Sequence, residues 1–194
     1  MGGDPLRIRD LRLLFIAAVI IIIAVVNCKS IIRYFYPLKY EDIIRKYSQE
    51  YNIDPYLIMA LINVESHYNP DATSKRDAKG LMQITSQTGE WGAKQLNIRD
   101  FKDDMLYDPD LNIKIGCWYI NNLRLEFNIK DSEDDIILML AAYNGGSGNV
   151  RKWLQSGSYS KNAIGLDQIP FAETQQYVKK VIKNYKIYRW IDNK

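Results

Sequence analysis

Val64–Ile84 reads VESHYNPDATSKRDAKGLMQI, and the chain is organised around this stretch. An apolar helix carrying one carboxylate, Glu65, at its end is stopped at Asn69-Pro70-Asp71, because proline lacks a backbone donor and biases the residue before it away from the α region. Ala72–Lys79 is a polar loop, and Gly80–Ile84 turns apolar again. Upstream, Asp54 supplies an N-cap and Pro55 the first helical position, where a missing N–H matters least. On the helix started there, Ile58, Leu61, Ile62 and Glu65 share one face, so the carboxylate continues an apolar stripe.

The same signals recur along the chain. Tyr40, Ile43, Ile44, Tyr47 and Tyr51 fall at helical spacing before the stretch. After it, a short helix is expected from about Ser86 to Gln95, and Asp108-Pro109 repeats the cap and opens a long helix to about Phe127 with Leu111, Ile115, Trp118 and Leu123 on its apolar face. Asp131 caps a helix whose Ile136–Ala142 segment is apolar nearly all round, the pattern of a buried central helix. Asn144-Gly145-Gly146 ends it. Val150–Leu154 reads as a short helix, Gly157–Gln168 as polar loop, and Ala172 to about Trp190 as the last helix. No strand alternation of useful length, internal repeat or low-complexity tract is present, so an all-α domain follows.

The chain of 194 residues has room for one ordinary domain and an appendage. Its formal charge of +3 comes entirely from the segment before Tyr34, since acids and bases balance at 21 each from there on. A nucleic-acid partner is not indicated. Cys28 and Cys117 are too few for a disulfide framework, and His67, the single histidine, excludes a multi-histidine metal site. His67 reads as a groove or surface side chain.

Leu13–Val26, LLFIAAVIIIIAVV, is an unbroken apolar run preceded by Arg7, Arg9 and Arg12. A window from Leu11 to Ile32 is long enough for a bilayer of roughly 30 Å. The expectation is a cytoplasmic N-terminus (1–12), a transmembrane signal-anchor helix (13–33), a linker (34–39) around Pro37, and an extracytoplasmic catalytic domain (40–194) tethered to the cell membrane. A cleaved signal peptide and a lipoprotein signal ending at Cys28 compete with it, but Val25, Val26 and Asn27 stand where small residues are wanted.

Glu65 is the first candidate for chemistry. Packing a carboxylate against apolar groups, near the negative end of a helix dipole, raises its pKa. A carboxylic acid still protonated near neutrality suits a general acid that protonates a leaving-group oxygen. From this pattern alone, a structural glutamate reaching solvent, Lys75 or Arg76 is the commoner case.

Four segments in order, ESHYNPDATS, AKGLMQI, AAYNGG and IPFAETQQYV, resemble the soluble lytic transglycosylase family of peptidoglycan-cleaving enzymes over about Tyr40 to Tyr188. The resemblance implies a lysozyme-like α-helical fold, related in shape to goose-type lysozyme. It places Glu65 as the sole catalytic acid/base and Ser66 as the neighbouring hydroxyl that helps place substrate. Met82 and Gln83 match the groove-lining segment, Tyr143 and Asn144 the groups that contact sugar near the cleaved bond, and Glu173 and Tyr177 a polar pair one turn apart on the last helix. Taken singly, each has a structural reading: Met82 with Leu81 and Ile84 as core, Tyr143 as a satisfied core tyrosine, Asn144-Gly145-Gly146 as a helix stop, and Glu173 as a first-turn acid. Two positions depart from the family pattern: Asp77 stands where glycine is usual and Gln175 where arginine is common.

Most glycosidases use two carboxylates, and the second is not obvious here. The resemblance implies instead a substrate-assisted cut between N-acetylmuramic acid and N-acetylglucosamine that leaves a 1,6-anhydro ring, without metal or cofactor. The expected partners are peptidoglycan strands and, through the N-terminal helix, the membrane. A lysozyme-type hydrolase using Asp71, Asp77 or Glu173, and an inactive glycan-binding scaffold, are the alternatives.

Overall fold

In the computed structural model of the protein, residues 8–129, 133–156 and 169–192 are described. They form eight α-helices: α1 (Ile8–Phe35), α2 (Glu41–Glu50), α3 (Pro55–Ser66), α4 (Ser86–Gln95), α5 (Pro109–Phe127), α6 (Glu133–Gly145), α7 (Ser147–Gln155) and α8 (Ala172–Asp192). A 3-10 turn, Asp103–Tyr107, precedes α5. The chain divides into two compact units, Met1–Pro37 and Leu38–Lys194.

The first unit corrects an expectation. Its helix α1 forms, but among the described residues no helix is long and apolar enough to cross a membrane. The physical reason lies in the apolar stretch and not in the helix, which is 28 residues long: the strict run Leu13–Val26 reaches only about 21 Å as a helix, and Asn27, Lys29 and Ser30 interrupt the apolar sequence just beyond it. The transmembrane anchor and the single-pass membrane location that depended on it are therefore withdrawn.

The second unit is the all-α domain. Both Asp-Pro caps form as the sequence dictates: the Asp54 carboxylate accepts from the Tyr56 N–H at 2.9 Å, and that of Asp108 from the Leu111 N–H at 2.8 Å. Ile58, Leu61 and Ile62 of α3 are fully buried, and α3 packs most extensively against α8. A polar strut crosses that contact, where Asn63 donates to the Tyr188 hydroxyl at 3.2 Å and accepts from Asn184 at 2.9 Å. The stripe from Ile137 to Ala142 is buried through α6, as an all-round apolar helix requires. The expected Asp131 cap and Gly157–Gln168 loop lie outside the described residues.

Between α3 and α4 the chain does more than loop. Lys79 makes isolated antiparallel bridges with both Thr73 and Ile84. These pairings are too short to leave an alternating pattern in the sequence. They nevertheless fix the segment that follows Glu65.

Candidate active site

Glu65 lies in the last turn of α3. The helix stops immediately after it because His67 and Tyr68 both take left-handed backbone angles, with φ of 51° and 61°. Tyr68 is buried, and its hydroxyl donates to the Met59 carbonyl at 3.2 Å, whereas His67 stays exposed. Glu65 is half-buried as a residue, and loss of hydration pushes its carboxyl pKa from 4.5 to about 7. The Tyr177 hydroxyl donates to Glu65 Oε1 at 2.6 Å and pulls the value part of the way back, by favouring the charged form.

Tyr177 is buried on α8, four residues after Glu173. Tyr143, near the end of α6, donates its hydroxyl to the Met82 carbonyl at 2.7 Å. Burial first, and the neighbouring Glu65 second, hold the Tyr143 and Tyr177 phenols well above their ordinary range, so both stay protonated donors. Asn144, half-buried beside Tyr143, accepts from the Thr174 hydroxyl at 2.9 Å. With its oxygen occupied in this way, the amide nitrogen is the end of Asn144 left to donate. Three helices, α3, α6 and α8, thus converge on one carboxyl group.

The remaining expected site residues are placed differently. Ser66 is buried with its hydroxyl turned to the Leu81 carbonyl at 2.8 Å, where it fastens the end of α3 to the Gly80–Ile84 segment. Met82 is wholly buried against Gly116 of α5, where a Cβ would sit 2.3 Å from its sulfur. Its side chain is core, and its backbone carbonyl is the part that meets Tyr143. The Gln83 amide donates to the Ala72 and Gly80 carbonyls at 3.1 and 2.9 Å and so braces the loop internally. Glu173 is exposed in the first turn of α8.

Sequence reasoning missed Asn112. This fully buried side chain on α5 donates to the carbonyls of Lys79 (2.9 Å) and Leu106 (2.7 Å) and accepts from the Met82 N–H (2.8 Å). Gly80, at φ +74°, lies directly on it: a Cβ there would come within 2.3 Å of the Asn112 amide nitrogen and 2.2 Å of the Leu106 carbonyl oxygen. An amide amid the apolar face of α5 was the available signal. Lys79 is the second omission, with its ammonium between Asp103 at 2.6 Å and Asp77 at 2.7 Å. Asp103 also accepts from the Ser86 hydroxyl at 2.8 Å, which ties the loop to the start of α4. Among the described residues no cluster of three or more histidine, cysteine or acidic side chains is placed to hold a metal ion.

This arrangement can be compared with known proteins. The profile of the transglycosylase SLT domain matches residues 42–161, more than half of the chain. The chain belongs to the SLT transglycosylase-domain family. The soluble lytic murein transglycosylase of Salmonella typhimurium is 35% identical to it over 156 residues, which are 79% of this chain and 23% of that protein. The membrane-bound lytic murein transglycosylase C of Edwardsiella ictaluri is 31% identical over 176 residues, covering 79% of this chain and 47% of that protein. Among solved structures, the 70-kDa soluble lytic transglycosylase of Escherichia coli superposes with a TM-score of 0.70 at 33% identity, over 81% of this chain and 25% of that one. An inactive glutamate-to-glutamine variant of the lytic transglycosylase Slt from Pseudomonas aeruginosa gives 0.70 at 29% identity, over 80% of this chain and 24% of that one. The chain therefore spans about a quarter of the length of the soluble relatives it matches. Its SLT domain has the all-α, lysozyme-like fold.

Proposed function

We propose that this SLT domain is a peptidoglycan lytic transglycosylase in which Glu65 acts first as acid and then as base. The observation that carries the reading is the state of Glu65: a carboxyl group titrating at about 7, held by the Tyr177 hydroxyl. Such a group is substantially protonated at neutral pH, yet remains an effective base once it has given up its proton. Burial raises its titration and the Tyr177 hydrogen bond lowers it. One group that serves as proton donor and, once ionised, as base is what the single-carboxylate route needs, where a hydrolase uses two. The loss of activity in the glutamate-to-glutamine variant of the Pseudomonas relative is consistent with it.

In this reading Glu65 donates its proton to the glycosidic oxygen as the bond from the muramyl anomeric carbon breaks. The acetamido oxygen of the same sugar bonds to that carbon and takes up the positive charge. The Glu65 carboxylate then removes the proton of the muramyl 6-hydroxyl, whose oxygen attacks the anomeric carbon and displaces the acetamido oxygen. A 1,6-anhydro ring closes, Glu65 recovers its proton, and no water is consumed. Tyr143 and the Asn144 amide, both on α6, are the groups offered to the sugars flanking the bond, while Ser66 and Gln83 hold the Gly80–Ile84 segment, whose Met82 carbonyl accepts from Tyr143.

Mass spectrometry of muropeptides released from purified cell wall tests the reading. The expected products end in 1,6-anhydromuramyl, and Glu65→Gln lowers their release at least about a hundredfold, in line with loss of a general acid/base. Products with reducing ends would assign a hydrolase instead, and equal release by wild type and Glu65→Gln would remove the enzyme reading altogether.

A further inference from the structure

Beside the site, α4 and α5 carry an aromatic strip that the reaction does not use. The Trp91 and Trp118 rings meet edge to face at 4.8 Å and 81°. Trp91 lies 6.3 Å from Tyr119, and Tyr119 lies 5.6 Å from Tyr143, the ring whose hydroxyl is bonded to Met82. The strip therefore runs without a break from the site to the surface. At its outer end Trp91 is 41% exposed.

That exposure sits on a packed aromatic base. Trp118 packs against Gly92, where a Cβ would come within 3.1 Å of its ring, so α4 and α5 approach closely there. Trp91 is backed in turn by its edge-to-face contact with Trp118, a geometry aromatic pairs favour. A large apolar ring left in water forgoes burial worth some kcal/mol. A ring that is exposed, backed by a second indole and continuous with the site through Tyr119 and Tyr143 presents an apolar surface with its rotamer already supported before binding.

We propose that Trp91, backed by Trp118, is a stacking platform for a pyranose ring of the same glycan strand, beyond the sugars at the cleaved bond. The inference rests on the proposed function, in which a glycan lies over Tyr143. A pyranose has an apolar face of C–H groups and a rim of hydroxyls, and an indole matches it with an apolar face and a polar N–H edge. The occupant is the extension of the substrate itself, because the strip begins in the site. Strand length then becomes a determinant of affinity.

The test measures binding to the full chain carrying Glu65→Gln, so that glycan is held without turnover. Isothermal calorimetry is run with an uncrosslinked strand of alternating N-acetylglucosamine and N-acetylmuramic acid, and with the disaccharide unit alone. Adding Trp91→Ala is expected to weaken the strand about tenfold, to leave the disaccharide unchanged, and to be largely reversed by Trp91→Phe. Equal strand affinity with and without the Trp91 ring overturns the platform. So does an equal loss for strand and disaccharide that Trp91→Phe does not reverse. If the Glu65→Gln parent binds neither ligand, the glycan reading itself falls and the platform with it.

Discussion

At the scale of single residues, the Glu65–Tyr177 pair decides how the site answers to pH. The acid step needs Glu65 protonated, so the rate falls as pH rises through the value of about 7 that burial imposes. The hydrogen bond from Tyr177 favours the charged carboxylate and therefore lowers that value; the sign of its removal is upward. Tyr177→Phe is accordingly expected to move the alkaline limb of the kcat/KM profile to higher pH. A profile of rate against pH on one defined glycan checks this, and a limb that stays in place or moves to lower pH contradicts the role assigned to the hydroxyl. The burial of Glu65 was legible in the sequence, because it continues the apolar stripe of Ile58, Leu61 and Ile62, whereas its role as an acid came from the family resemblance and not from that pattern. The inward turn of Ser66 was not, since a serine hydroxyl satisfies a carbonyl as readily as a ligand and spacing carries no information about which it finds.

At the scale of elements, the helices were readable because caps and periodicity are local. Asp54-Pro55 and Asp108-Pro109 fix where α3 and α5 begin whatever the rest of the chain does. The loop between α3 and α4 is organised by contacts distant in sequence, from Asn112 and Asp103, and these left no local trace. The departure at Asp77 illustrates the difference. Its φ of 61° is the left-handed conformation glycine adopts freely, and aspartate tolerates it better than most residues. Its carboxylate reaches Lys79 at 2.7 Å, although 67% side-chain exposure leaves that pair screened. Asp77→Gly is therefore expected to change stability by less than about 1 kcal/mol, whereas Asp77→Val, β-branched at a positive φ, costs about 2 kcal/mol. Urea unfolding of the two variants distinguishes the cases. Equal stability for glycine and valine would mean that the left-handed backbone at this position is not what the sequence must satisfy.

At the scale of the whole molecule, stability and chemistry are set against each other at one residue. The N-terminal apolar run misled because a window count includes residues that a strict run does not, and among the described residues no helix reaches membrane-spanning character; the hydrophobic residues buried among those described belong to the second unit, from Ile44 onward. Into that core the fold brings a carboxyl group whose pKa rises from 4.5 to about 7. Well below 4.5 both folded and unfolded chains hold the proton and the site costs nothing. Between 4.5 and about 7 the unfolded chain releases the proton while the folded one retains it, so stability falls as pH rises. Above that window the full penalty is present, at most about 3 kcal/mol for a shift of this size. Glutamine stays neutral throughout and mimics the protonated acid in shape. Glu65→Gln should therefore gain stability relative to wild type as pH is raised, with the difference growing by up to about 3 kcal/mol from about pH 4 to about pH 8. Denaturant unfolding of both proteins at the two pH values reads that difference directly. A gap that stays constant or narrows would show that the native fold does not hold Glu65 away from water, and the acid proposed for the reaction would lose its physical basis.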